Sequence, residues 1–231
     1  MSGDARAAVL GRLRRALGRG RDADALRRAM RQRLSEPHAN LIPARADLDQ
    51  DGRIRLFAAQ AEAVHTTVRR VDRYRDLPEA VLDYLRRHNL PPRLAMASDP
   101  LLAQADWRST MLEIHHGPAV DQDQVGLTTA YAGIAETGTL MLLSAPQTPT
   151  TLAFLPETSL VALPAERILR AYEDAFALLR NERGALPRSL NFITGPSRSG
   201  DIEQTLQLGA HGPRRLCVLL VDEPRGEGEA P

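Results

Sequence analysis

The sequence predicts an α/β fold with a largely parallel sheet, preceded by a helical arm. Three observations carry that reading. From residue 66 onward, short apolar runs alternate with segments of helical spacing, the pattern of strands joined by helices. Some of those runs, Leu216-Cys217-Val218-Leu219-Leu220-Val221 above all, are apolar without interruption, as buried strands are. The first 35 residues show only helical spacing and a large excess of arginine.

Each element follows from local pattern. Val9, Leu10, Leu13 and Leu17 recur at helical spacing, Gly18 and Gly20 interrupt, Asp22 and Asp24 offer caps, and Leu26, Ala29, Met30 and Leu34 repeat the pattern. This predicts an amino-terminal helical hairpin, with Pro37 to Pro43 as an extended connection. A third helix is expected from Arg53 to Val64. Thr66 to Val71 is β-branched enough for a short strand. Asp76, Pro78 and Glu79 have capping-box spacing for a helix that Pro91-Pro92 stops. Strands are expected at Arg93–Ala97 and Met111–His115, with a short helix opened by Asp99-Pro100 between them. Gly126 to Ala132 fits either state. Thr139–Leu143 and Ser159–Leu163 read as strands, and the scarcity of helix between Gly126 and Leu163 predicts local antiparallel pairing. Pro164 to Leu179 predicts the best helix of the chain, with Ile168, Leu169, Tyr172, Ala175, Phe176 and Leu179 on one face. Leu190–Thr194 and Arg215–Val221 are strands, with a helix from Asp201 to Leu208 between them. The division expected is a helical arm over 1–45, an α/β domain over 46–222 and a disordered polar tail over 223–231.

Composition removes several classes of function. The chain has 231 residues, and no apolar run is long enough to cross a bilayer. Its amino terminus places Asp4, Arg6 and Arg12 among short apolar residues instead of a signal-peptide core, so a cytoplasmic protein is expected. Cys217 is the single cysteine, which excludes an intrachain disulfide and a self-contained cysteine-ligated cluster. Its setting in an apolar run reads as a small core residue. All 30 basic residues are arginine. Schiff-base chemistry and a phosphate-loop lysine are therefore excluded, and anions fall to arginine or backbone N–H groups. Residues 1–35 carry ten arginines against three aspartates, a charge of +7, which leaves −6 for the rest of a +1 chain. The arm reads either as two solvated helix faces or as a surface for an acidic partner. It has no aromatic residue on which a base would stack, which argues against nucleic acid. The six histidines form no i, i+4 pair or acidic ligand motif, so no metal site is expected, and no dinucleotide, phosphate-loop or nucleophile-elbow motif is present.

Two loops carry the candidate chemistry. The first is Ile134-Ala135-Glu136-Thr137-Gly138-Thr139-Leu140. Glu136, in a turn opened by glycine, reads as a nucleophile or general base, or as an acceptor of backbone N–H groups that organises the turn. Gly138 allows close approach of a ligand or a backbone, and Thr137 and Thr139 read as anion ligands or as strand residues. The second loop is Gly195-Pro196-Ser197-Arg198-Ser199-Gly200-Asp201-Ile202-Glu203, read as a strand-to-helix connection. There Ser197 or Ser199 would cap the helix, with Asp201 and Glu203 in its first turn. Gly195, Ser197, Arg198 and Asp201 are the ligand candidates. Arg198 would hold a phosphate or carboxylate, or bridge to Asp201 or Glu136. His211-Gly212-Pro213-Arg214 precedes the last strand. His211 is an acid/base candidate or a hydrogen-bond donor to a loop carbonyl, and Arg214 flanks the same turn.

These segments resemble the lactate utilization protein C family of the LUD-domain group. The residues that carry the resemblance are Gly133-Ile134-Ala135-Glu136-Thr137-Gly138-Thr139-Leu140, Leu190-Asn191-Phe192-Ile193-Thr194-Gly195-Pro196-Ser197-Arg198, Asp201-Ile202-Glu203 and Leu208-Gly209-Ala210-His211-Gly212-Pro213-Arg214. Two positions depart from the family pattern: Ser199-Gly200 stands where Thr-Ala is common, and Cys217 where a histidine is expected. The resemblance implies a Rossmann-like layered fold similar to the NagB/RpiA/CoA-transferase superfamily. It also implies a part in oxidation of L-lactate to pyruvate with two iron–sulfur partners, the A and B components. This chain would then be the non-cluster subunit or accessory protein, binding no cofactor of its own. Three readings stay open: that subunit, a free-standing enzyme using Glu136 as CoA transferases use their glutamate, and a scaffold without a ligand.

Overall fold

The computed structural model describes residues 2–17, 23–35, 41–184, 186–202, 205–209 and 211–224. The chain divides into two compact units, Met1–Leu41 and Ile42–Pro231. In the first, helices α1 (Ser2–Ala16) and α2 (Ala23–Ser35) form where the spacing places them. Their apolar residues Val9, Leu10, Leu13, Leu17, Leu26 and Met30 are all exposed. Gly18, Gly20 and Asp22, most of the Pro37–Pro43 connection and residues 225–231 of the tail lie outside the described residues.

The second unit is built on an all-parallel six-stranded sheet. Its spatial order is β1 (Thr67–Val71), β12 (Arg215–Val221), β7 (Thr158–Pro164), β4 (Val125–Thr129), β2 (Arg93–Met96) and β3 (Glu113–His116). Every residue of β4 and β7 is buried, the condition that makes such strands largely apolar, with Thr128, Thr129, Thr158 and Ser159 as buried polar exceptions. The alternation of β12 assigns its two faces. Cys217, Leu219 and Val221 join the core beneath α4 (Leu77–Arg87), and Leu216, Val218 and Leu220 join the core on the opposite face. That opposite core receives Ile54, Phe57 and Ala61 of α3 (Gln50–Ala63), whose first turn is capped by Asp49 accepting the Gly52 N–H at 2.8 Å.

A second, four-stranded sheet lies on the α3 face. Its order is β8 (Ile168–Leu169), β5 (Ala132–Ile134), β6 (Thr139–Leu143) and β9 (Leu190–Ile193). β6 pairs antiparallel with both β5 and β9, which accounts for the antiparallel character expected of the middle segment. Helix α7 (Tyr172–Arg183) covers this sheet with Ala175 and Leu179. A half-buried arginine ties it down. Arg167 donates to Glu182 at 2.8 Å and to the Tyr131 carbonyl at 3.1 Å, its guanidinium lies 4.6 Å over the Tyr131 ring, and the Tyr131 hydroxyl donates to Glu182 at 2.6 Å. The remaining short helices are α5 (Pro100–Ala103), capped by Asp99, and α6 (Thr151–Phe154). Among the described residues, no helix is long and apolar enough to cross a membrane.

Three local expectations are corrected. The helix expected over Pro164–Leu179 begins only at Tyr172. Ile168 and Leu169 pair in parallel with Gly133 and Ile134, Gln50 donates to the Ala165 carbonyl at 2.8 Å, and Asp174 reaches back to the Ala171 N–H to start the helix there. The helix expected over Asp201–Leu208 is absent. Arg198–Ile202 (β10) and Thr205–Leu208 (β11) form an antiparallel hairpin, in keeping with the alternation of Thr205-Leu206-Gln207-Leu208 and the low helix propensity of Ser199-Gly200. The capping box at Asp76 does not form. Asp76 ends a 3₁₀ turn in helical dihedrals, so its carboxylate makes no cap hydrogen bond.

Burial also sets an alkaline limit. It pushes the Cys217 thiol from 9.0 up to about 12, and the Tyr84 phenol from 10.0 up to about 12. Tyr131 rises to about 12 through burial and its bond to Glu182. The native state holds these protons more tightly than the unfolded chain. Their contribution to stability is therefore level below pH about 8.5 and falls as the unfolded chain ionises. A melting series from pH 7 to 11 should show that plateau and decline, and native Cys217 should resist iodoacetamide at pH 8 until the protein is denatured.

Candidate functional site

The two motif loops meet the same helical turn. The Glu136–Thr139 turn joins β5 to β6, closed by the Gly138 N–H donating to the Ile134 carbonyl at 2.9 Å. Gly138 has φ +66, and a Cβ there would lie 2.7 Å from the Gln60 carbonyl carbon and overlap the Ala61 nitrogen of α3. Gly195 has φ +80, and its Cβ would lie 2.7 Å from the Val64 carbonyl oxygen, where α3 ends. Both positions require glycine twice over, by backbone conformation and by space.

Four hydroxyl groups join the loops. Thr139 is fully buried, and its hydroxyl lies 2.7 Å from that of Thr137, 3.0 Å from Tyr172 and 2.6 Å from Thr194. A hydroxyl can donate once and accept twice, so Thr139 is saturated as the hub of the group. Thr194 and Tyr172 were not singled out by sequence reasoning. Thr194 follows β9 as an ordinary strand residue would, and Tyr172 sits in the stripe of α7 that reads as core.

A cavity of about 290 Å³ opens beside this network. Its polar wall is Thr194, Gly195, Ser197, Arg198 and His211, and its apolar wall includes Phe154, Phe192, Pro213 and Leu216. It lies at the carboxyl end of β9 but at the amino end of β12, so it is not at the carboxyl ends of the large parallel sheet where such folds commonly hold ligands. Ser197 pins its loop to Gly209, His211 and Pro213. Its N–H donates to the Pro213 carbonyl at 2.8 Å, its carbonyl accepts the Gly209 N–H at 3.1 Å, and its hydroxyl accepts the His211 N–H at 3.4 Å. It caps no helix. Arg198 donates to the Val64 carbonyl at 3.4 Å, a favourable place for a cation at a helix end, and bridges neither to Glu136 nor, among described contacts, to Asp201.

The structure therefore gathers Gly195, Ser197, Arg198 and His211 at one cavity and leaves others outside it. Glu136 is 6% exposed, lies in the turn against α3 and is not a cavity wall; its N–H donates to the Arg170 carbonyl at 3.2 Å. Thr137, Gly138 and Thr139 reach the cavity only through Thr194. Arg214 is exposed and anchored by its N–H to the Glu157 carbonyl at 2.8 Å. Asp201 is on β10 with its side chain outside the described residues, as Glu203 is entirely. Phe154 and Phe192 are cavity walls that sequence reasoning missed, because a phenylalanine beside an apolar run reads as core. Among the described residues, no group of three or more histidine, cysteine, aspartate or glutamate side chains is placed to hold a metal ion.

Removing the hub hydroxyl leaves three partners without it. Thr139→Val, nearly the same size, should lower stability by roughly 1–3 kcal/mol in urea unfolding, whereas Thr137→Val, which loses fewer contacts, should cost less.

Comparison with known proteins places these features. The LUD domain family model matches residues 119–221, which include both motif loops and the cavity walls. Lactate utilization protein C from Geobacillus thermodenitrificans (strain NG80-2) is 31% identical over 144 residues, covering 57% of this chain and 60% of that protein. The match thus spans about 60% of that relative's length. Lactate utilization protein C from Geobacillus sp. (strain WCH70) is 28% identical over 194 residues, covering 75% of this chain and 80% of that protein. The crystal structure of a DUF162 family protein from Deinococcus radiodurans is 20% identical with a TM-score of 0.60, covers 76% of this chain and 99% of that one, and shares the fold. The layered sheet, the two glycine-bearing loops and the cavity beside the second of them thus sit in a chain that matches the LUD domain model over residues 119–221 and is similar to proteins named lactate utilization protein C.

Proposed function

We infer that this chain acts in lactate utilization as the non-cluster subunit of an iron–sulfur system that oxidises L-lactate to pyruvate in the cytoplasm. The observation that carries the reading is the similarity to proteins named lactate utilization protein C, together with the LUD domain match over residues 119–221, which holds the cavity loops. Electron transfer belongs to partners. An iron–sulfur cluster of the common kind needs four thiolates, and this chain has one cysteine, buried and held neutral. What the chain supplies is a binding site and a docking surface.

At the cavity, Arg198 offers a positive charge and His211 an imidazole able to hydrogen-bond. Together they suit a small carboxylate. The arm suits docking to the two partners, the A and B components, since it combines an arginine-rich surface with exposed Leu10, Leu13 and Met30. No geometry favours a glutamate-thioester route, because Glu136 is buried against α3 and off the cavity.

The test is anaerobic, lactate-dependent reduction of an electron acceptor by the purified A and B partners, with and without this chain. Reduction should require the chain. Arg198→Ala and His211→Ala should each lower the rate by about tenfold or more at unchanged melting temperature. Full activity without the chain overturns the reading.

A further inference from the structure

The cavity shares a wall residue with a second depression. Phe154, at the end of α6, lines both, the second of about 250 Å³ with Thr150, Thr151 and Leu155. The two differ in chemistry. Arg198 and His211 stand at the first. Towards the second, Phe192, Phe154 and Leu155 are 37%, 38% and 47% exposed. A contiguous run of large apolar groups left open to solvent marks a binding surface.

The aromatic part is pre-organised. The Phe192 ring is braced edge-on by Tyr172 at 5.1 Å and by Phe176 at 5.7 Å, centroid to centroid, and Tyr172 is in turn bonded to Thr139. Among the described residues, the guanidinium of Arg198 spends one N–H on the Val64 carbonyl, and the others are open to a ligand. At about 290 Å³, the first depression alone approaches the lower end of pockets that hold drug-sized molecules. A three-carbon hydroxy acid has too few atoms to engage the cationic end and also cover the rings.

From this we propose that the two depressions together bind an organic anion with a flat apolar body, its acidic group on Arg198 and His211 and its body across Phe192 and Phe154 towards Leu155. The proposal rests on reading the cavity as a ligand site, not on the lactate role.

The test is calorimetric titration of the full chain with phenylpyruvate, an aromatic 2-oxo acid, against pyruvate and L-lactate. Phenylpyruvate should bind at least about tenfold more tightly than either. Phe192→Leu, at an exposed position, should erase that preference at unchanged melting temperature. Arg198→Gln should weaken phenylpyruvate binding by about tenfold. Equal affinity for the three acids, no saturable phenylpyruvate binding, or a preference that survives Phe192→Leu overturns the proposal. Phenylpyruvate binding by a chain that the A and B partners do not need would sink the lactate role and uphold this proposal. The opposite pair of results would sink this proposal alone.

Discussion

The last turn of α3 is the constraint on which the site depends. Gln60 and Ala61 press on Gly138, and Val64 presses on Gly195, each so closely that no side chain fits. Arg198 donates to the same Val64 carbonyl. The helix itself is fixed from both sides, because Ile54, Phe57 and Ala61 share a core with Val161, Leu163 and Val218 of the large sheet and with Leu140 and Ile168 of the small one. Protein interiors are dense enough that this placement leaves little slack. Two loops about sixty residues apart in the chain are thereby set against one rigid support.

This arrangement gives the glycines and hydroxyls of the first loop a structural duty and moves the chemistry to the second. Gly138 opens space for a helix rather than for a ligand. Thr139 spends its hydroxyl on Thr137, Tyr172 and Thr194, and only Thr194 reaches the cavity. The cavity walls, by contrast, offer a cation, an imidazole and two phenylalanine rings. That lining is what the proposed anion with an apolar body would meet, and Glu136 is not part of it.

Much of the architecture was legible because buried parallel strands have a strong signature. β7 and β12 are apolar runs, and their burial on both faces is what makes them so. The misread segments are those where a tertiary partner outweighed local spacing. Ile168 and Leu169 fit a helical stripe, yet the free edge of β5 takes them as a strand. Asp201–Leu208 follows a loop as a helix would, yet Thr205–Leu208 pairs with Arg198–Ile202 as a hairpin. At the site, glycine and arginine announced the loops. Phe154 and Phe192 were silent, since an aromatic residue next to a buried run looks the same whether its outer face meets protein or solvent.

The central claim is that α3 couples the two loops mechanically, and amide hydrogen exchange in Gly195→Ala tests it most directly. The added methyl group should displace the end of α3 and loosen the turn that Gly138 packs against it. Faster exchange at the Gly138 amide as well as at Ser197, with the β12 amides unchanged, is the predicted result. Faster exchange confined to residues 195–198, with Gly138 as protected as in the parent protein, would contradict it.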